Sequence, residues 1–216
     1  MKSKMRDFRK CTILFLLLFF FGAILIKSGY TGKKEMEEKI CLVQIGDVDE
    51  RIMLYMKIVI EGIFGKKIDT VSLPHDRDYA YNKSRKQYCS SKILQELRKL
   101  ELSDYESALA IIDVDLYVPE LTFVFGEADL KNKVSIISLT RLRQEFYNLP
   151  ANISLFNERI ITEAVHELGH TYGLRHCQYG NCVMFFSRTL SDTDKKGSGF
   201  CDVCEKKLQR RKKFVR

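Results

Sequence analysis

Three of the chain's four histidines stand within eleven residues, in the stretch HELGHTYGLRHCQYGNCVM (166–184). No other feature constrains the fold as tightly, because the spacing fixes both a helix and what that helix must face. The segment NERIITEAVHELGHTYG (157–173) sets Ile161, Ala164, Val165, Leu168 and Tyr172 at helical intervals, with Asn157 as the candidate N-cap. On such a helix His166 and His170, at i and i+4, share one face a single turn apart, so two imidazoles can chelate one ion. Glu167 projects beside that ion without reaching it. Gly173 can adopt positive φ, which stops the helix and turns the chain back, and brings His176 within reach of a third coordination position.

Three neutral protein ligands and one open position make the arrangement of a catalytic zinc, not a structural one. Zinc in such a site lowers the pKa of its water to about 7 and polarises a carbonyl oxygen. Glu167 is then expected to act as general base and to pass the proton to a leaving amine, so the predicted reaction is hydrolysis of a peptide bond. The alternative is a zinc-stabilised peptide-binding protein with little or no turnover. The fourth histidine, His75, stands in a polar loop and is read as incidental.

Cysteines follow the histidines closely. Cys177 and Cys182 are separated by four residues, and Cys201 and Cys204 form a CxxC pair. Two close pairs fit a closed four-thiolate zinc site that holds structure; two disulfides are the competing reading. Zinc is preferred, since a CxxC pair closes a metal ring readily and structural disulfides rarely span so short a loop. The expectation is therefore two zinc ions per chain, one catalytic and one structural. Cys11, Cys41 and Cys89 show no pairing pattern and are expected to fill apolar space.

The net charge of +8 suggests nucleic acid until it is localised: residues 1–10 carry +4 and residues 205–216 carry +6, which leaves −2 for everything between. The body of the chain is thus no basic binding surface, and no specific nucleic acid is expected. The N-terminus is a separate object. Five basic residues precede CTILFLLLFFFGAILI (11–26), an uncharged run closed by Lys27. As a helix it would span roughly 24 Å, and flanking lysines can snorkel to complete a membrane crossing. This is the pattern of a signal peptide or signal anchor. An uncleaved anchor is favoured, with the domain outside the cytoplasm; a cytoplasmic protein beginning at Met36 is the alternative. Residues 1–35 are accordingly separated from a catalytic domain at 36–216, and a monomer is expected.

Between these ends the pattern alternates. Strands are predicted at 39–48, 67–73, 108–118, 121–129 and 133–143, helices at 49–65 and 90–102, and a loop at 74–86. Ser90 and Ser91 are available to cap the second helix. Asp113 and Asp115 alternate on one face of the 108–118 strand, read as a strand end entering solvent in preference to a metal site. Together these elements give a mixed α/β or α+β domain.

The motif HExxHxxGxxHCxxxxCxM followed by CxxC is similar to that of the archaemetzincins, small metzincin-type zinc metalloproteases. It is carried here by His166, Glu167, His170, Gly173, His176, Cys177, Cys182, Met184, Cys201 and Cys204. The resemblance extends upstream through IGDV, DLYVPELTFVFGEA and SLTRLRQEFY, and so covers roughly 39–204. It implies a zincin-type fold, with a twisted mixed sheet over the active-site helix and a C-terminal four-cysteine subsite. It also implies that LTFVFGEA is an edge strand able to pair with an extended substrate, and that Met184 forms an apolar floor beneath the histidines.

Overall fold

The computed structural model describes residues 39–74 and 76–214. The apolar run at 11–26, Cys11 and His75 lie outside the described residues. The chain opens as β1 (Lys39–Ile45), α1 (Glu50–Phe64) and β2 (Lys67–Leu73), then runs through β3 (Tyr81–Asn82) and β4 (Gln87–Cys89) into α2 (Ser90–Leu97). It continues as β5 (Ser107–Ile112), β6 (Leu116–Tyr117), β7 (Gly126–Asp129), β8 (Val134–Ser138), α3 (Ile153–Thr171), α4 (Leu190–Lys196) and α5 (Asp202–Phe214). The main sheet has the order β2-β1-β5-β8-β7. Its first four strands are parallel, and only β7 runs against its neighbour β8.

Parallel strands are covered on both faces, which is why β1, β5 and β8 read as nearly unbroken apolar runs. Alternate residues feed separate cores. Ile40, Leu42, Leu109, Ile111 and Ile137 pack with α1 and α3, whereas Cys41, Val43, Ala108, Ala110 and Ile136 pack with α2. Helix α3 is buried on almost every side; Ile160, Ile161, Ala164, Val165 and Leu168 each lie in the first core. At about 1.5–3 kcal/mol per fully buried large aliphatic side chain, this helix is among the best-anchored elements of the molecule.

Several boundaries differ from the pattern-based reading. Helix α3 begins at Ile153, and its cap is Asn152, whose side chain accepts from Leu155 N–H at 3.0 Å; Asn157 lies inside the helix. The expected strand over 108–118 breaks at Asp113. That carboxylate accepts from Arg143 and Thr140, and Asp115 forms a two-point pair with Arg141. The chain then leaves the main sheet, and β6 joins a small sheet of order β3-β4-β6 inside what had read as loop and strand end. Of the predicted strand 121–129 only the last four residues, β7, are paired along the sheet, with Val124 touching Leu116 by a single bridge. Ser90 and Ser91 cap nothing; both hydroxyls donate to the Glu127 carboxylate.

The membrane anchor requires correction. No helix among the described residues is long and apolar enough to cross a membrane.

Candidate metal and catalytic site

The last two turns of α3 carry His166, Glu167 and His170, and the first two of these line a cleft shared with Gly126, the first residue of β7. Helix α3 ends at Thr171, and Gly173, at φ +81, reverses the chain. A side chain at 173 would strain the backbone there and strike the Arg211 guanidinium. The reversal presents His176, so that one ring nitrogen from each histidine lies within 4.8 Å of the others.

The hydrogen bonds explain what those nitrogens can hold. His166 Nδ1 is 2.6 Å from the Val183 carbonyl and His170 Nδ1 is 2.8 Å from the Leu174 carbonyl. A carbonyl only accepts, so both Nδ1 atoms must carry the proton, and in the neutral rings both Nε2 atoms present lone pairs. Those Nε2 atoms face each other at 3.2 Å. Two lone pairs at that separation repel unless a cation lies between them, so this donor set fits a metal ion. Burial, reinforced by Lys196 and the other histidines, pushes the His166 imidazole well below its usual range. Burial likewise lowers His170 to about 4. Both rings therefore stay neutral at ordinary pH, the form a metal requires.

Glu167 is buried against the edge of the sheet. A Cβ on Gly126 would lie 2.6 Å from Glu167 Cγ, so the absence of a side chain at 126 lets the carboxylate press against the first residue of β7. Burial, with Glu163 nearby, raises the Glu167 carboxyl well above its usual range, and Lys196 opposes the shift. A bound cation would act in the same direction as Lys196. The cleft above Glu167 has a volume of about 280 Å³, lined by residues 121–126 on one side and by Phe186, Ser187 and Arg188 on the other.

Met184 is fully buried, and its Sδ fills the space a side chain on Gly169 would need. Cys177, Cys182, Cys201 and Cys204 bring their sulfurs within 4.8 Å of one another. All four are free thiols. Cys177 Sγ and Cys201 Sγ are 3.8 Å apart, far beyond a disulfide bond but close to the edge, about 3.8 Å, of a tetrahedron with zinc–sulfur bonds of about 2.3 Å. Burial opposes ionisation of Cys201, yet hydrogen bonds from Cys204 N–H and the neighbouring thiols outweigh it and bring its pKa down to about 7. Burial raises Cys182 and Cys204, as expected where thiols crowd without a positive charge between them.

Pattern reading singled out residues that the structure brings together, but it missed their supports. Glu163, one turn before Glu167, is paired with a wholly buried Lys196 at 3.1 Å. It also accepts from Thr193 and Ser187, while Lys196 donates to the Phe185 carbonyl. Nothing in a lysine at 196 signals burial. Gly126 stands inside a predicted strand, with nothing local to mark its contact with Glu167.

Comparison with known proteins agrees with this geometry. The profile of Peptidase family M54 matches residues 26–210. An archaemetzincin of Methanocaldococcus jannaschii is 41% identical over 179 residues, covering 82% of this chain and 96% of the relative. The crystal structure of archaemetzincin from Methanopyrus kandleri superposes with a TM-score of 0.73 at 34% identity, covering 83% of this chain and 98% of that one. A zinc-dependent peptidase from Methanocorpusculum labreanum gives a TM-score of 0.71 at 27% identity, over 78% of this chain and 99% of that one. The family match begins beyond most of the apolar run at 11–26, so the resemblance draws nothing from an anchor. With no crossing helix among the described residues, the expectation of a membrane-anchored domain outside the cytoplasm is withdrawn.

Proposed function

This chain belongs to Peptidase family M54 and is a zinc metallopeptidase acting on peptide or protein substrates, and on that premise we propose that His166, His170 and His176 hold its catalytic zinc while Glu167 moves the proton in hydrolysis. The observation that carries the assignment is the pair of imidazole lone pairs facing each other at 3.2 Å, each fixed from behind by a backbone carbonyl. Zinc bound there supplies Lewis acidity, polarising the scissile carbonyl and acidifying a water molecule.

The protein's own groups do the rest. Glu167 takes the proton from the attacking water and returns it to the nitrogen as the C–N bond breaks, leaving a carboxylate and an amine. Its place against Gly126 keeps the carboxylate from swinging away. The N–H and C=O of Phe123 have no partner among the described residues, whereas Val124 N–H is taken by Leu116 and the Leu121 and Thr122 carbonyls accept from Arg85. An extended peptide therefore pairs with the rim around Phe123, through main-chain bonds that carry little sequence preference.

We assign the second zinc to Cys177, Cys182, Cys201 and Cys204, as a closed structural site, and residues 36–216 to the catalytic domain, an assignment supported by the compact unit Glu37–Arg216. The test is Glu167→Ala in the full chain, with zinc content and peptide hydrolysis measured together. Zinc should be retained while kcat falls by about 10²–10⁴. Equal behaviour of variant and wild type would instead favour a peptide-binding protein without turnover.

A further inference from the structure

One stretch of the cleft lining is Phe186–Arg188, which follows Met184 and Phe185 in the chain. It is stitched in place from behind: Lys196 donates to the Phe185 carbonyl at 3.3 Å, Ser187 to Glu163 at 3.4 Å, and the Arg188 N–H to Asp192 at 3.1 Å. Phe186 lies against the His176 ring at 4.7 Å between centroids. The backbone of Arg188 is thereby fixed, and its side chain, exposed at the cleft, is the one permanently positive group in a lining otherwise dominated by Leu121, Phe123, Val124, Phe125 and Phe186.

Among the described residues no acid neutralises it. Asp192 is turned onto the N–H groups of Arg188 and Thr189 and the Thr189 hydroxyl. Glu163 is taken by Lys196, Asp194 by Arg159 and Glu127 by Ser90 and Ser91. Among the described residues the Arg188 guanidinium has neither an ion pair nor a side-chain hydrogen bond. Other arginines near this end of the sheet, Arg141 and Arg143, are both paired with aspartates. A guanidinium offers a planar fork matched to a carboxylate, and apolar walls on either side reduce the competition from water.

We propose that Arg188 makes the cleft select a carboxylate on the bound peptide, supplied by an acidic side chain or by a free C-terminus. The inference rests on the cleft being the peptide site and narrows its substrate class. It is tested with the full, zinc-loaded chain and one neutral peptide in matched forms: Glu against Gln at each position, and C-terminal acid against amide. kcat/KM is measured for wild type, Arg188→Met and Arg188→Glu. Binding of the same peptides, fluorescently labelled, is measured by anisotropy in the Glu167→Ala background.

Wild type should favour the carboxylate form by about tenfold, as one charge-assisted pair at a partly solvated rim allows. Arg188→Met should erase that ratio, and Arg188→Glu should turn it toward a lysine-bearing peptide. A preference confined to the acid-against-amide arm identifies the chain terminus as the source; one confined to the Glu-against-Gln arm identifies a side chain. Hydrolysis with no discrimination, or discrimination unchanged in Arg188→Met, overturns the role of Arg188 and leaves the peptidase reading intact. Discrimination in binding without hydrolysis by wild type does the reverse.

Discussion

The histidine and cysteine clusters are built from one stretch of chain, 166–204, yet they are opposite kinds of site. His166 and Glu167 line a cleft and His176 is exposed, whereas the four cysteines close on one another. Neutral imidazoles leave a bound ion its Lewis acidity and a position for substrate, whereas four thiolates complete a tetrahedron and leave none. The two are not independent. Cys182 immediately precedes Val183, whose carbonyl orients His166, and Cys177 N–H donates to the carbonyl of Met184. On the proposed assignment the closed site holds the backbone that aims the open one, so damage should propagate from cysteines to histidines but not in return.

The largest expected effect comes from breaking the closed site. Cys204→Ser should cost the proposed structural ion and, with it, the catalytic zinc and all hydrolysis, because structural zinc contributes on the order of 10 kcal/mol to small metal-dependent folds. Thermal melting with elemental analysis checks this; a Cys204→Ser protein that keeps one zinc and full activity would show the sites to be uncoupled. Next is Lys196→Met, which strands the Glu163 carboxylate behind the catalytic helix. Breaking a buried pair in this way costs about 3–5 kcal/mol, or about 10 °C in Tm for a domain of this size. The double variant Glu163→Gln/Lys196→Met should recover most of that loss, and a double variant no more stable than the single one would count against the pair.

Gly126→Ala sharpens the comparison from the open side alone. Its methyl displaces the Glu167 carboxylate, so kcat should fall by about a hundredfold while both metal ions remain; unchanged kcat would mean that Glu167 does not need the glycine. The smallest effect belongs to the far end of the same helix. Asn152→Ala removes the cap on Leu155 N–H and should lower stability by about 1 kcal/mol in denaturant unfolding, with kcat unchanged.

The parts of this molecule legible in sequence were those fixed by local geometry. Helical spacing placed His166 and His170 together without reference to the rest of the chain, and CxxC spacing did the same for Cys201 and Cys204. The buried parallel strands announced themselves as apolar runs. What escaped depended on partners distant in sequence. The strand at 108–118 breaks because Asp113 and Asp115 are claimed by Arg143 and Arg141, about thirty residues on. Strands β3, β4 and β6 are two or three residues long and show no periodicity. Lys196 carries no sequence signal of burial, because only the fold supplies Glu163. The apolar run at 11–26 was the most conspicuous feature of composition, yet it led to an anchor for which the described structure offers no crossing helix.

The central claim, two zinc sites of different kind, is tested most directly by zinc per chain in the wild-type protein and in His170→Ala, each assayed for peptide hydrolysis on the same preparation. The account predicts two ions falling to one, with hydrolysis lost and the fold retained. One ion in both proteins, untouched by the substitution, would contradict it, because the histidines would then hold no metal.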